Sequence, residues 1–318
     1  MNSRAAWPMS NAGLVMARGR LERFLGEKVR RDQPLAKYTT MRVGGPAGIF
    51  VTADELSELR LIMETVKDYE LPFFILGRGS NLLVSDEGFA GIVLKLGTDF
   101  KQVSVEGTEM IVGAAASLGS VVQAALRNSL KGLSFAVGIP GTVGAAIAVN
   151  AGAHGLDMGA ITKRIVYYSP ALQLQVADAP KLQFSYRHCK LPDDAVILEA
   201  KLVLEVGEAD AVKHEMDTNW KRRKNTQPLD LPTAGSVFKN PAQDHAARLI
   251  EAADLKEYSI GGAQVSKKHA NFFVNTGNAT AADFYRLLVH VRAAVLHQFE
   301  VELEPEIQLV GDWSYVES

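Results

Sequence analysis

The sequence predicts an α+β protein. Strand-like and helix-like segments mix along the chain without the regular alternation of a βαβ array. The first clear unit reads strand, helix, strand, and the last third changes to a pattern of its own that ends in alternating apolar and acidic residues. At roughly 150 residues per domain, 318 residues suggest two domains.

Residues 1 to about 20 read as a loose extension, and 38–43 as the start of a strand. A helix is predicted over 54–70, where Leu56, Leu59, Ile62, Met63, Val66 and Tyr69 recur at helical spacing behind Asp54 as N-cap. Phe73-Phe74-Ile75-Leu76 is a short apolar run ending in glycines, the mark of a buried strand. Short strand candidates over 91–113 precede a helix over 117–130. Leu172, Leu174 and Val176 alternate with Gln173 and Gln175 at strand spacing, and Val196, Leu198 and Ala200 continue that theme. A polar helix over 208–224 reads as a connector. Residues 246–253 suggest a short helix and 271–274 a strand. Thr280 with Asp283 is a capping-box start for a long helix to about Phe299. Val301, Leu303, Ile307 and Leu309 then alternate with Glu302, Glu304, Glu306 and Gln308, as a final strand would. No internal repeat appears.

Composition narrows the function. Thirty-four basic and thirty-six acidic residues give a net charge of −2, which argues against a general nucleic-acid binder. The lone Cys189 forms neither a disulfide framework nor a multi-cysteine zinc site, and the seven histidines show no ligand spacing, so no metal is predicted. The N-terminus has no apolar core of signal-peptide length. The charge-free stretch 132–156 is long enough for a bilayer, but its six glycines and Pro140 would expose unpaired backbone to lipid. It reads as a buried, ligand-facing loop region. A cytoplasmic protein with a small-molecule partner and no membrane insertion is expected.

Two glycine-rich segments are the first candidates for chemistry. Gly77-Arg78-Gly79-Ser80-Asn81 follows the buried strand directly. Glycine admits positive φ and lets backbone N–H groups approach an anion; Ser80 and Asn81 add side-chain donors, and Arg78 a charge. The segment reads as a pyrophosphate cradle or as a plain turn, and it matches neither the Walker nor the Rossmann glycine pattern. Gly138-Ile139-Pro140-Gly141-Thr142-Val143-Gly144, continued by Asn150-Ala151-Gly152-Ala153, suits backbone passing close to a flat ring or a diphosphate. Equally it suits backbone packed on backbone. Arg187 beside His188 and Lys190 fits a catalytic cation or an exposed basic turn. Ser236 after Ala234-Gly235 fits a turn, and Glu306 shares its expected strand face with Glu302 and Glu304, usually a solvated face. Lys221-Arg222-Arg223-Lys224 reads as a solvated helix end or a nucleic-acid patch.

Taken in order, seven segments resemble one family. They are Thr39-Thr40-Met41-Arg42-Val43-Gly44-Gly45-Pro46-Ala47, Gly77-Arg78-Gly79-Ser80-Asn81-Leu82-Leu83, the two-part glycine stretch above, Ser185-Tyr186-Arg187, Ala234-Gly235-Ser236-Val237-Phe238-Lys239-Asn240-Pro241, Gly261-Gly262-Ala263-Gln264-Val265-Ser266 and Leu303-Glu304-Pro305-Glu306. In register over about 35–311 they resemble the UDP-N-acetylenolpyruvoylglucosamine reductases, flavoenzymes of peptidoglycan precursor synthesis. The resemblance implies an extension over 1–21 and a vanillyl-alcohol-oxidase-like (PCMH-type) FAD-binding domain over 22–208. That domain comprises two α+β subdomains of about 22–77 and 78–208. An α+β substrate-binding domain over 209–300 follows, and residues 301–318 return to the N-terminal part.

It also implies cofactors, partners and roles. FAD is the cofactor, NADPH the reducing co-substrate and UDP-N-acetylglucosamine enolpyruvate the substrate, in a monomer. Flavin N5 passes hydride to the terminal methylene carbon, and the carbon bearing the carboxylate is protonated, giving UDP-N-acetylmuramate. Ser236 matches the proton donor, and Arg187 and Glu306 match the pair that stabilises the intermediate. Gly77, Arg78, Gly79, Ser80, Asn81, Leu82, Gly138, Ile139, Pro140, Gly141, Thr142, Gly144, Asn150 and Gly152 match cofactor-binding positions. Lys224, Lys239 and Asn240 match substrate contacts. The interval from Arg187 to Ser236 is too short for the tyrosine-bearing loop of one family branch, so a more open site is expected. An oxidase of sugars or alcohols and an inactive nucleotide-sugar binder are the alternatives; presence of Ser236, Arg187 and Glu306 together disfavours the second.

Overall fold

The computed structural model describes residues 11–317. Where the sequence suggested a loose extension, Asn11–Leu25 forms helix α1, and the remainder of that extension, 1–10, lies outside the described residues. Leu14, Ala17, Leu21 and Leu25 recur at helical spacing, and the fully buried Ala17 and Leu21 seat this narrow stripe on the core. The boundary expected at residue 21 falls inside this helix.

Strand β1 (Val29–Pro34) runs antiparallel to β2 (Pro46–Ala53), with Val29 opposite Val51. The strand expected over 38–43 is instead a loop pinned by Thr39, whose hydroxyl donates to Val43 O at 2.7 Å. The loop cannot extend because Arg42 sits at φ +59° and because Gly45 lies so close to the next turn that a Cβ would meet Asp86 O at 2.0 Å. The N-cap position of helix α2 (Leu56–Asp68) falls on Glu55 rather than Asp54, and the Glu55 side chain makes no capping hydrogen bond. The Asp54 carboxylate accepts from Thr98 N at 2.9 Å and pairs with Lys28 at 2.8 Å. Then come β3 (Phe73–Ile75), β4 (Leu82–Val84) and β5 (Phe89–Leu96). The first sheet has the order β1-β2-β5-β3, with β2, β5 and β3 parallel. Since β5 lies between β2 and β3, the first subdomain extends past the boundary expected at residue 77.

A second, five-stranded antiparallel sheet has the order Gln173–Asp178, Thr162–Ser169, Val196–Val203, Glu109–Gly113, Val103–Glu106. Helix α3 (Leu118–Arg127) packs on it, its first turn capped by Ser117, which accepts from Ser120 N. The stretch 132–156 is not all loop. Val143–Ala148 forms α4, because alanines between the glycines favour helix.

The connector Ala209–Thr226 is a helix capped by Glu208, and its Val212 and Met216 belong to the core under the first two sheets. Thus the helix assigned by sequence to the second domain packs with the N-terminal unit. A four-stranded antiparallel sheet (Thr233–Ser236, Phe272–Asn275, Ala263–Val265, Ser259–Ile260) carries helices Ala246–Ala252 and Ala281–Phe299. The capping box of Thr280 and Asp283 starts the latter. The alternating run 301–309 is a strand only at its end, where Gln308–Val310 pairs parallel with β4. Pro305 has no N–H to donate, and the residues around it follow the serine segment instead: Lys239 N donates to Glu304 O at 2.9 Å and Glu306 N to Val237 O at 2.7 Å. Among the described residues no helix is long and apolar enough to cross a membrane.

Candidate active site

The three sheets meet around one cleft of about 1070 Å³, at the upper end for a small-molecule site. Its floor forms at the carboxyl ends of the parallel strands, where 77–81 leaves β3. The glycines there serve close packing first. At Gly79, φ is +61° and a Cβ would lie 2.1 Å from Tyr38 O; at Gly77 a Cβ would lie 2.8 Å from the Thr142 hydroxyl. Packing the two glycine-rich segments on each other leaves their other faces to the cleft. Residues 77–82 and 139–142, with Gly144 and Gly152, all line it.

Two side-chain donors expected to hold an anion are spent on the protein. Ser80 Oγ donates to Pro140 O at 2.7 Å, and Asn81 Nδ2 to Glu306 O at 3.2 Å. Together with Gln308 N donating to Asn81 O at 2.9 Å, the second contact fastens the glycine loop to the segment bearing Glu306. Gly138 and Asn150 do not line the cleft. A Cβ at Gly138 would lie 2.7 Å from the Trp220 ring, so this glycine makes room for the connector helix. Asn150 is buried and donates to Asp157 and to Ser185 O while accepting from Gly159 N, which consumes its amide.

The three residues expected to be catalytic do line this cleft together. A tight turn holds Arg187, with Ser185 and His188 exchanging backbone hydrogen bonds and Arg187 at φ +54°. An arginine in the left-handed region is uncommon and argues for a side chain held in place by its surroundings. Its Nε donates to Glu306 Oε1 at 2.6 Å and its Nη2 to Gly152 O at 3.3 Å. Both side chains are about a fifth exposed, 20% and 17%. Burial pushes the Glu306 carboxyl above its ordinary value, against the opposing pull of Arg187 and Lys239. Ser236 ends a strand whose register breaks between Thr233 and Ser236, with Gly235 at φ +80°. Such an irregularity re-aims a side chain, and the Ser236 hydroxyl has no hydrogen-bond partner among the described residues.

Of the expected substrate contacts, only Asn240 lines the cleft. Its Oδ1 accepts from Ala246 N and its own N–H donates to Tyr186 Oη. Lys239 pairs with Glu304 at 2.5 Å in an adjoining hollow of about 280 Å³. Lys224 does not line the cleft, and its backbone carbonyl accepts from Lys268 Nζ at 2.6 Å. Instead Arg222 and Arg223 of the same basic run line the cleft. Arg223 is 9% exposed, and its Nε, like Gln227 Oε1, is buried with no partner among the described residues. The signal was helical phase: eleven residues, three turns, separate Val212 from Arg223, which places Arg223 on the buried face and turns Lys224 away from it. His154, Lys95 and Lys101 also line the cleft and were missed.

This donor set fits a dinucleotide flavin. Arg78, Lys95 and Lys101 have no carboxylate partner among the described residues, so the cleft wall carries cations awaiting an anion. The backbone of the two glycine-rich segments offers a flat, close-approach surface beside them. No group of three or more His, Cys, Asp or Glu that could hold a metal occurs among the described residues.

Residues 47–169 match the family model described as FAD binding domain, and residues 227–310 match that of the UDP-N-acetylenolpyruvoylglucosamine reductase C-terminal domain. The UDP-N-acetylenolpyruvoylglucosamine reductase of Bacillus subtilis is 40% identical over 292 residues, covering 91% of this chain and 96% of its own. The chain belongs to the UDP-N-acetylenolpyruvoylglucosamine reductase family. The Bacillus velezensis reductase is 41% identical over 288 residues, 89% of this chain and 94% of its own. The crystal structure of the Thermus caldophilus reductase superposes with a TM-score of 0.78 at 34% identity, covering 89% of this chain and 99% of that one. As a member of the reductase family the protein is an FAD oxidoreductase, and its fold is the expected one of an FAD-binding unit followed by the α+β C-terminal unit of these reductases.

Proposed function

We propose that the protein reduces the enolpyruvyl ether of UDP-N-acetylglucosamine enolpyruvate to UDP-N-acetylmuramate with NADPH, in cytoplasmic peptidoglycan precursor synthesis and as a monomer. The observation that carries this reading is the Arg187–Glu306 pair at 2.6 Å in the same cleft as a partnerless Ser236 hydroxyl. FAD, held by the two glycine-rich segments, would supply the hydride-transfer chemistry between NADPH and the terminal methylene of the enol ether.

The rest falls to side chains. As the double-bond electrons move toward the carbon bearing the carboxylate, charge builds on that carboxylate. The Arg187 guanidinium is the cation that meets it, its planar fork matched to two oxygens. Glu306 holds Arg187 through Nε and Gly152 O takes one Nη2 N–H, which leaves the other guanidinium N–H groups for substrate. The Ser236 hydroxyl, unencumbered by protein acceptors, gives its proton to the carbon and is reprotonated from solvent. Asn240 and Lys239 are proposed to hold the nucleotide side of the substrate. Within the basic run, Arg222 and Arg223 are better placed than Lys224 to meet its diphosphate.

The test is the visible spectrum under anaerobic conditions. NADPH should bleach the oxidised flavin, and the enolpyruvyl UDP-sugar should restore it. Protein that stays colourless after FAD is supplied overturns the flavin site; restoration only by oxygen points to an oxidase.

A further inference from the structure

The cleft carries two separate groups of cations. One lies on the connector helix, Arg222 and Arg223; the other lies beside the glycine loop, Arg78, Lys95 and Lys101. Three diphosphates take part in the proposed reaction: that of the resident cofactor throughout, and those of NADPH and of the UDP-sugar in their respective half-reactions. We infer that Lys95 anchors the diphosphate of the dinucleotide flavin, with Arg78 and Lys101 completing a three-cation collar, and that this collar selects FAD over phosphate-free riboflavin.

Strand register supplies the first argument. Ile75 is opposite Leu94, and Leu76 N donates to Leu94 O at 2.8 Å, so Lys95 stands beside the residues where the glycine loop begins. That is the carboxyl end of the parallel strands, where ligands of open α/β sheets gather. The second argument is electrostatic. Lys95 is half-buried, whereas Arg78 and Lys101 are exposed at the rim. None of the three is ion-paired with a carboxylate among the described residues. Burial, together with the like charges of Lys101 and Arg78, pushes the Lys95 ammonium below the ordinary lysine value. The Tyr38 ring, 5.6 Å from Nζ, compensates part of one side only.

A partly desolvated cation without a counter-ion is costly, and three in one wall repel each other. A diphosphate removes both penalties. Lysine suits this position because its compact ammonium meets phosphate as a point charge from a strand too close to the loop for the guanidinium fork to be required. Lys95 is thus a positioning residue: it touches the cofactor far from the reacting atoms.

This inference rests on the flavin reading, and its test separates the two. Purified wild-type, Lys95→Met and Lys95→Arg proteins are dialysed to equilibrium against graded FAD, and separately against riboflavin, with occupancy read from flavin absorbance. Met should weaken FAD about tenfold or more, the scale of a lost charge-assisted contact, and leave riboflavin affinity unchanged. The loss of FAD affinity with added salt should also be shallower for Met than for wild type, because one cation fewer is screened. Arg should keep most of the wild-type affinity. Unchanged riboflavin affinity together with an unchanged far-ultraviolet circular dichroism spectrum of the FAD-loaded proteins would show the fold intact, since the melting temperature itself shifts with FAD affinity. Lys95→Met that binds FAD like wild type overturns the inference, as does equal weakening of FAD and riboflavin. Wild type that binds neither flavin overturns the flavin reading itself and this inference with it.

Discussion

Serine is a weak acid, so the role proposed for Ser236 depends on its neighbours. The register break at Gly235 frees its hydroxyl from protein partners, and the Arg187–Glu306 pair lies in the same cleft. Ser236→Ala should slow reoxidation of the reduced flavin by the UDP-sugar by roughly 100- to 10,000-fold while leaving bleaching by NADPH intact; stopped-flow absorbance separates the half-reactions. Wild-type reoxidation would remove serine from the mechanism. Glu306 permits a test of sign. Its folded pKa lies above its ordinary value because of burial, so its contribution to stability is present below the unfolded pKa and is lost as pH rises through the folded one. The melting temperature of Glu306→Gln relative to wild type should therefore climb from about pH 4 to about pH 8. A flat difference would show that Arg187 cancels the burial. Cys189 is a simpler case: buried, with its thiol pushed up to about 11 by desolvation. Little thiolate exists near pH 8, so a disulfide reagent should react slowly with native protein and at once after unfolding. At this scale the sequence pointed to Arg187, Ser236 and Glu306, the residues proposed to act, only through their register with a family, since each alone has an ordinary surface reading. It hid the consumption of Asn150, Ser80 and Asn81 by the scaffold, because hydrogen-bond partners 7 to 225 residues away leave no local pattern.

Between elements, the joint that matters most is Asp86. Its two carboxylate oxygens accept from Ala281 N and Ala282 N, each at 2.9 Å, and so complete the N-terminus of Ala281–Phe299 from the opposite end of the chain. Thr280 and Asp283 already form a capping box there, so the Asp86 contact satisfies donors that the helix's own cap does not reach. Asp86→Ala should cost about 1–2 kcal/mol, read as a fall in denaturant midpoint; Asp86→Asn should recover part of it. A midpoint equal to wild type would assign the helix end entirely to its own box. Elements with such local instructions were legible: the helices expected to start at about 117, 208 and 280 begin at Leu118, Ala209 and Ala281. Elements shaped by distant contacts were not. Residues 38–43 have a strand's composition, yet Gly44 and Gly45 dock on the β4–β5 turn and hold them as a loop. The alternation over 301–309 has a strand's period, yet Pro305 and the serine segment divert all but its end. Helix α1 escaped notice because its stripe is one residue wide.

For the whole molecule, the C-terminal tail decides how the parts are held together. Met41, Val43 and Leu83 share one buried cluster with Val237, Phe273, Phe284, Leu288 and Trp313, so the last unit has no core of its own apart from the N-terminal segments. Asn275 Nδ2 donates to Met41 O at 3.0 Å, and Gln308–Val310 adds a strand beside β4. Trp313, 9% exposed, stacks on Tyr285 with ring centroids 4.8 Å apart. This tail therefore closes three contacts at once: the core, the β4 edge and, through Gln308 and Asn81, the glycine loop. A chain ending at Ile307 keeps Arg187, Ser236 and Glu306 but loses all three. The missing tryptophan alone should cost about 3–5 kcal/mol, and the exposed edge of β4 adds to it. If the tail only stabilises the fold, FAD retention should track melting temperature, and Trp313→Ala should lower both in the same proportion as the truncation. If it also holds the glycine loop in shape, the truncated chain should lose FAD more than Trp313→Ala at matched stability. The contact from Gln308 to Asn81 leads us to expect the second result, measured as flavin occupancy below the melting transition of each protein. Truncated protein that retains FAD as Trp313→Ala does would confine the tail to the core and leave the loop self-supporting.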